Sequence, residues 1–149
     1  MRLVTINELL SLPEDQQTEF KTHARTQVLG PTICAFLNTE GGYLLCGVDE
    51  LKGLLGLDNA ARLKERLEQD LALHLSPSSL VSVEIMPLEG KDILLVRVPA
   101  GADRPYAYRN SIYLREQAMT RQASVQEIRK LVSQQFADTI RWERRLSKP

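Results

Sequence analysis

The spacing of apolar residues predicts three helices in the first half of the chain. Residues 6–12 carry three leucines and end at Pro13, as expected of a short helix. Residues 26–38 and 60–75 repeat apolar side chains every three or four positions, which predicts two longer helices. The regular part of the first is expected to begin near Gly30, because Pro31 is tolerated only close to a helix start. Asp58 or Asn59 is the expected N-cap of the second.

Short apolar runs between turn residues predict the strands. Residues 43–48 are apolar on both faces, which is typical of a central strand. The other predicted strands are 18–21, 80–88 and 93–98, and a second hairpin of 106–108 with 112–114 around 109–111. The pattern predicts an α+β fold, with a mixed, mostly antiparallel β-sheet packed with helices.

The last predicted helix has the clearest local signal. Ser124 and Glu127 have the spacing of a capping box, in which each side chain satisfies an amide at the helix start. The helix carries an apolar stripe predicted to be core or dimer contact: Ile128, Leu131, Val132 and Phe136. Residues 1–140 are therefore predicted to be one domain, and 141–149 a basic tail or linker.

Composition narrows the class of protein. A chain of 149 residues fits one domain, and no apolar run is long enough to span a membrane, so a cytoplasmic protein is expected. Cys34 and Cys46 lie among apolar residues and lack zinc-site spacing, which predicts buried, reduced thiols. The net charge is zero, but residues 1–75 carry −4 and residues 76–149 carry +4. This asymmetry arises by chance or marks a carboxylate cluster beside a phosphate-binding surface.

The sequence lacks residues that a phosphate-binding loop and a nucleophilic catalytic site require. Gly42 and Gly47 have the spacing of a phosphate-binding loop, but Val48 and Asp49 follow where lysine and a hydroxyl residue are needed. Two distant histidines and two cysteines in apolar segments offer no nucleophile paired with a base. The chain is therefore not predicted to be a P-loop ATPase.

Carboxylates form the first candidate site. Four lie near predicted turns and the end of the central strand: Glu14, Glu19, Asp49 and Glu50. If they converge, their hard oxygen ligands suit Mg²⁺ or Mn²⁺, which can activate water against a phosphodiester. If they do not converge, they form an ordinary solvated acidic surface.

Basic residues form the second candidate site. The candidates for phosphate contact are Lys21, Arg104, Arg109, Arg115 and Arg121. The tyrosines interleaved with the arginines are Tyr106, Tyr108 and Tyr113. Tyrosine can stack a base, although the alternative is a hairpin with a wet arginine face and tyrosines packed on the core.

These motifs together resemble the Schlafen AlbA_2-like domain family, formerly called the divergent AAA domain. The resemblance covers roughly residues 8–136 and rests on three stretches of the chain. The first is Glu14-x-x-x-x-Glu19-Phe20-Lys21. The second is residues 35–50, which contain Asn38-Thr39-Glu40-Gly41-Gly42-Tyr43, and the third is residues 104–124, which contain Tyr113-Leu114-Arg115. Gln117 replaces a glycine common in the family, which puts the conformation of that loop in question.

The resemblance implies function at two levels. Bacterial members resemble DNA-binding modules of transcriptional regulators, so a nucleic-acid-binding domain is expected, with DNA or structured RNA as partner. Vertebrate members cleave tRNA with three carboxylates and a divalent metal, which implies a metal-dependent endoribonuclease as the alternative. Those carboxylates correspond to Glu14, Glu19 and either Asp49 or Glu50; Mg²⁺ or Mn²⁺ is expected only on this alternative.

A single lobe would pair with itself to form a cleft, so a homodimer is expected; a dimerisation module alone is the second alternative.

Overall fold

A computed structural model describes residues 6–49, 51 and 53–147. The elements, in chain order, are α1 (Ile6–Ser11), β1 (Thr18–Lys21), α2 (Thr26–Leu37), β2 (Gly42–Cys46), α3 (Ala60–His74), β3 (Leu75–Ser76), β4 (Ser82–Leu88), β5 (Lys91–Val98), β6 (Ala107–Tyr108), β7 (Tyr113–Glu116), β8 (Met119–Gln122) and α4 (Val125–Ser147). No helix within these residues is long and apolar enough to cross a membrane.

Four strands form the main sheet in the order β1-β2-β5-β4. β1 runs parallel to β2, with Thr18 opposite Tyr43, whereas the other two pairs are antiparallel. The predicted α+β class, with a mixed and mostly antiparallel sheet, is confirmed.

The two central strands, β2 and β5, are buried on both faces. Successive side chains of a strand point to opposite faces. Leu94 and Val96 accordingly belong to the core that contains residues of α2 and α3, and Ile93 and Leu95 to a second core with Leu9 of α1. Apolar residues on both faces were the sequence signal for β2, and the same signal holds for β5.

The hairpin predicted over 106–114 is a tight turn rather than a pair of strands. Arg109 and Asn110 have φ angles of 48° and 67°, and the amide of Tyr108 donates to the carbonyl of Ser111 at 2.8 Å. The flanking strands pair elsewhere, β6 with β3 and β7 with β8. The sequence pattern does not predict β8, because only one of its four residues, Met119, is apolar.

The predicted starts of two helices are confirmed, but a detail of each differs from the prediction. α2 begins at Thr26, as predicted for residues 26–38, and is already helical before Gly30, with Pro31 inside it. Proline leaves the carbonyl four residues earlier without its amide donor, and here that carbonyl belongs to exposed Gln27, where water can replace the donor. Asn59 occupies the N-cap position of α3 but its side chain makes no capping bond.

Helix α4 confirms the predicted capping box and is longer than predicted. The amide of Ser124 donates to the Glu127 carboxylate at 2.9 Å, and the amide of Glu127 donates to the Ser124 hydroxyl at 3.2 Å. The helix continues past residue 140 to Ser147, so most of the predicted basic tail is helical, and the domain boundary at 140 stays a prediction. Of the apolar stripe, Leu131 is buried, whereas Val132 and Phe136 are exposed.

Candidate nucleic-acid interface

Glu19 is a buried carboxylate on the edge strand β1. Its side chain is 8% exposed and contacts two cations. The Arg115 guanidinium donates to one carboxylate oxygen at 2.7 Å, and the Lys21 ammonium lies 3.0 Å from the other. Both oxygens therefore already have internal cationic partners, and Lys21, a predicted phosphate contact, is one of them.

Arg115, a predicted phosphate contact, is buried and bound within the chain. The residue is 4% exposed, and its guanidinium lies 5.1 Å from the centre of the Phe36 ring. It also donates to the carbonyls of Asp15 and Thr18, at 2.8 and 3.2 Å, and to the Thr120 hydroxyl at 3.2 Å. Arg115 thus joins β7 to the segment around β1, and its guanidinium is not presented to solvent.

The remaining candidate carboxylates hold the local backbone. Glu14 accepts the Phe20 amide at 3.0 Å, and Asp49 accepts the Gly53 amide at 2.7 Å. Glu50 lies outside the described residues. Within the described part of the chain, no group of three or more His, Cys, Asp or Glu side chains could hold a metal ion. Both Glu19 oxygens contact cations, so a divalent metal at Glu19 would have to displace Lys21 or Arg115.

Arg104 and Arg109, which were predicted phosphate contacts, bind groups of the chain itself. Arg104 donates to the carbonyl of Leu37 at 3.2 Å and to that of Thr39, which satisfies acceptors at the C-terminal end of α2. Arg109 donates to the buried carboxylate of Asp70 at 3.1 Å. Arg104 would have to give up these bonds to bind a phosphate, whereas the Arg109 side chain is 47% exposed and uses only part of its guanidinium.

Arg121 is held by two carboxylates. It makes two 2.7 Å hydrogen bonds to Glu127 and a third to Glu116. The Arg121 guanidinium and the Ser124 amide hold the pKa of Glu127 down at about 2. This ion pair joins the hairpin β7–β8 to the first turn of α4, so Arg121 also has a structural role.

The most specific sequence motif is structural as well. Asn38 is buried, and its amide group donates to the carbonyls of Tyr106 and Tyr113, both at 2.9 Å, while its oxygen accepts the Tyr106 amide at 2.7 Å. Gly41 has φ of 75°, and a side chain there would approach the Val98 carbonyl to 2.6 Å. The motif therefore fixes the turn from α2 into β2. Tyr106 and Tyr108 are buried in the core and cannot stack a base.

A cationic cavity that the sequence analysis missed lies between the N-terminal end of α2 and α3, and is here called the α2–α3 cavity. Its volume is about 420 Å³, within the range of about 300–1,000 Å³ usual for ligand sites. The lining residues are His23, Ala24, Arg25, Thr26, Gln27, Leu57, Leu63 and Arg66. None of them is acidic.

The arginines at this cavity differ from those predicted. Arg25 and Arg66 are exposed, and in the described part of the chain their guanidinium groups make no hydrogen bond or ion pair. Arg62 is also exposed and lies one turn before Arg66 on α3, so the two share a face. Burial and the charges of Arg25 and Lys21 lower the pKa of His23 below its usual 6.5. The i,i+4 spacing of the two arginines was the available sequence signal.

A larger groove, of about 600 Å³, lies between residues 101–104 and α4. Arg104, Lys130 and Arg141 line it, but so does Asp138, whose carboxylate lies 3.7 Å from the Arg141 guanidinium. Arg104 is bound to carbonyls. This groove therefore offers an anion fewer free cations than the α2–α3 cavity, despite its size.

Comparison with known proteins gives a family and a fold. The family described as Schlafen, AlbA_2 matches residues 14–124, which confirms the resemblance. One similar solved structure is the N-terminal domain of a Nitrosomonas europaea protein whose name relates it to the ATP-dependent DNA helicase RecG. The TM-score is 0.59 and the identity 23%, over 82% of this chain and 91% of that one. The DIP2311 protein from Corynebacterium diphtheriae is similar with a TM-score of 0.52 and 19% identity, over 66% of this chain and 19% of that one. No curated protein matches the chain.

Proposed function

The chain belongs to the Schlafen AlbA_2 family, and on this premise we propose that it is a nucleic-acid-binding domain that holds phosphates at the α2–α3 cavity. The family fits such a role, and the name of the Nitrosomonas protein, a DNA helicase relative, makes nucleic acid the first polymer to test. We propose the face that carries Arg25, Arg62 and Arg66 as the site, in preference to the predicted stretch from Arg104 to Arg121.

The observation that carries this proposal is the contrast between two sets of arginines. Those predicted to contact phosphate already donate to carbonyls or carboxylates of the chain, so a phosphate would have to compete with those bonds. Arg25, Arg62 and Arg66 have no such partner among the described residues, and a phosphate would gain their full charge-assisted hydrogen bonds. The absence of acidic residues from the cavity lining removes the repulsion that a phosphate would otherwise meet.

The test is the salt dependence of binding by two matched variants. Arg66→Gln removes a charge at the cavity, and Arg129→Gln removes one from an exposed arginine of α4. For a 20-base-pair DNA or an RNA hairpin of similar length, Arg66→Gln should weaken binding and reduce the slope of log K against log salt by about 1, while Arg129→Gln should not. Equal effects of the two variants would refute this placement of the site.

The regulator role implied by bacterial relatives is a finer part of the proposal. It requires a preference for one DNA sequence beyond the phosphate contacts, because phosphate contacts alone carry no sequence information. Selection from a pool of random duplexes measures this directly. A recovered pool with no enriched sequence would count against a regulator and leave a general binder.

Metal-dependent RNA cleavage is the second candidate function, and one observation favours it. Glu19, Lys21 and Arg115 line an open cavity of about 320 Å³, so the buried carboxylate is not sealed from solution. A divalent ion there would have to displace Lys21 or Arg115 from Glu19. The test is the fragment pattern of labelled tRNA with Mn²⁺, for the wild type, Glu19→Gln and an EDTA control. Cleavage absent from both controls would support an endoribonuclease.

The expected homodimer has a candidate surface on α4. Val125, Val132 and Phe136 are exposed by 65%, 51% and 67%, and a second copy could cover them. Light scattering of the wild type and of Phe136→Glu measures the mass directly. A dimer that Phe136→Glu converts to a monomer supports the role; a monomeric wild type refutes it. If the protein dimerises and binds no nucleic acid at low salt, dimerisation alone is its function.

A further inference from the structure

The α2–α3 cavity has an apolar wall in addition to its cationic side chains. Ala24, Leu57 and Leu63 line it together with the arginines. A site that only neutralised phosphates would need no such surface, since a phosphodiester backbone is polar and stays hydrated. An apolar wall beside a guanidinium matches a ligand that carries a flat, weakly polar group next to its phosphate.

His23 adds a flat, neutral ring to the same wall. Its Nδ1 accepts the backbone amide of Arg25 at 3.2 Å, so the neutral imidazole carries its proton on Nε2. Its lowered pKa, caused mainly by burial, favours this neutral form at neutral pH. A neutral imidazole can stack on a base or donate from Nε2, and the planar guanidinium of Arg25 or Arg66 can stack in the same way.

From these features we infer that the α2–α3 cavity receives one unpaired nucleotide, with the base on the apolar wall and its phosphate on Arg25 and Arg66. The inference rests on the proposed function and specifies it. Bases of a duplex are paired and stacked, so only a single-stranded segment or a flipped-out nucleotide can enter. The protein should therefore prefer single strands to duplexes.

A probe that removes only the base tests the inference. A 12-residue oligo-dT and a 12-residue abasic strand carry the same backbone charge. Measured by fluorescence anisotropy at low salt, oligo-dT should bind roughly tenfold more tightly than the abasic strand, as one seated base is worth about that much. The dT–dA duplex should bind less tightly than oligo-dT.

A matched pair of variants assigns the effect to this cavity. Gln27→Glu places a carboxylate in the first turn of α2, and Gln126→Glu makes the same change at the same position of α4. A carboxylate in a first turn is favourable for helix stability, so both proteins should fold. Gln27→Glu should weaken oligo-dT binding roughly tenfold through repulsion of the phosphate, and Gln126→Glu should leave it unchanged.

The outcomes separate the inference from the proposed function. If oligo-dT and the abasic strand bind equally and Gln27→Glu weakens both, only backbone phosphates lie at the cavity; the inference fails and the proposed function stands. If oligo-dT is preferred but Gln27→Glu and Gln126→Glu behave alike, the base is bound elsewhere and the inference fails. If no strand or duplex binds at low salt, both fail.

Discussion

Loss of the buried partner of Glu19 should destabilise the protein more than loss of the charge on Glu19 itself. Arg115→Met leaves the Glu19 carboxylate, 8% exposed, with Lys21 as its remaining cation at 3.0 Å. It also removes the donors to the carbonyls of Asp15 and Thr18. Glu19→Gln removes the charge but keeps an oxygen that can accept from Arg115.

The expected magnitudes follow from these contacts. Breaking a buried ion pair by removing one partner costs about 3–5 kcal/mol, and because Lys21 compensates Glu19 in part, we expect about 3 kcal/mol for Arg115→Met. For Glu19→Gln we expect about 1–2 kcal/mol, because the Arg115 guanidinium loses its anionic partner but keeps a hydrogen bond to the Gln oxygen and to two backbone carbonyls. The double variant should lose less than the sum, because no buried charge then remains unpaired.

Urea unfolding followed by circular dichroism measures the free energies. Glu68→Gln is the matched control, since Glu68 pairs with Lys64 on the exposed face of α3 at 3.1 Å; it should change stability by less than about 0.5 kcal/mol. If Glu19→Gln is no more destabilising than Glu68→Gln, and Arg115→Met costs under about 1 kcal/mol, the structural role assigned to the pair is refuted. The result also decides which variants can report on catalysis, because an unfolded Glu19 variant would be inactive for a trivial reason.

Three further predictions concern single residues. Gln117 has φ of 54°, so Gln117→Gly should relieve strain and raise Tm by about 1–2 °C; a lower Tm would contradict this. Burial raises the pKa of Cys34 to about 11 and that of Cys46 to about 12, so a thiol reagent at pH 8 should react with neither cysteine until the protein unfolds. Rapid reaction of the native protein would contradict the burial of these thiols. An anion bound beside His23 should raise the lowered pKa of this residue, so oligo-dT binding should strengthen as pH falls. In NMR, the His23 signal should titrate at a higher pH when ligand is present, while the His74 signal should not respond to ligand. An unchanged His23 titration would count against binding at this cavity.

Local signals in the sequence were sufficient where the structure they predict is local. The capping box of α4 joins residues three apart, and the apolar strand β2 was recognised from its own residues. Likewise, burial of both cysteines followed from their apolar neighbours.

The candidate site could not be predicted in the same way, because the exposure and the partners of each arginine depend on residues that are distant in the sequence. Arg115 resembles a solvent-facing arginine in the sequence, yet its acceptors come from residues near position 15, about a hundred residues earlier. Arg104 similarly finds carbonyls at the end of α2. The local sequence shows how many cationic residues a segment has, but not which of them form hydrogen bonds or ion pairs within the folded chain. Only cations without such bonds, such as Arg25 and Arg66 among the described residues, are free to bind a ligand.

The Glu19–Arg115 pair also has a consequence for how the chain folds during synthesis. The two residues are 96 positions apart, so the ribosome releases β1 long before it releases its buried partner. Until then β1 would bury a carboxylate whose remaining cationic partner among the described residues is Lys21, and that edge of the sheet should open easily. We expect β1 to dock late, once β7 has emerged, and a fragment that ends before residue 115 to leave its first strand undocked.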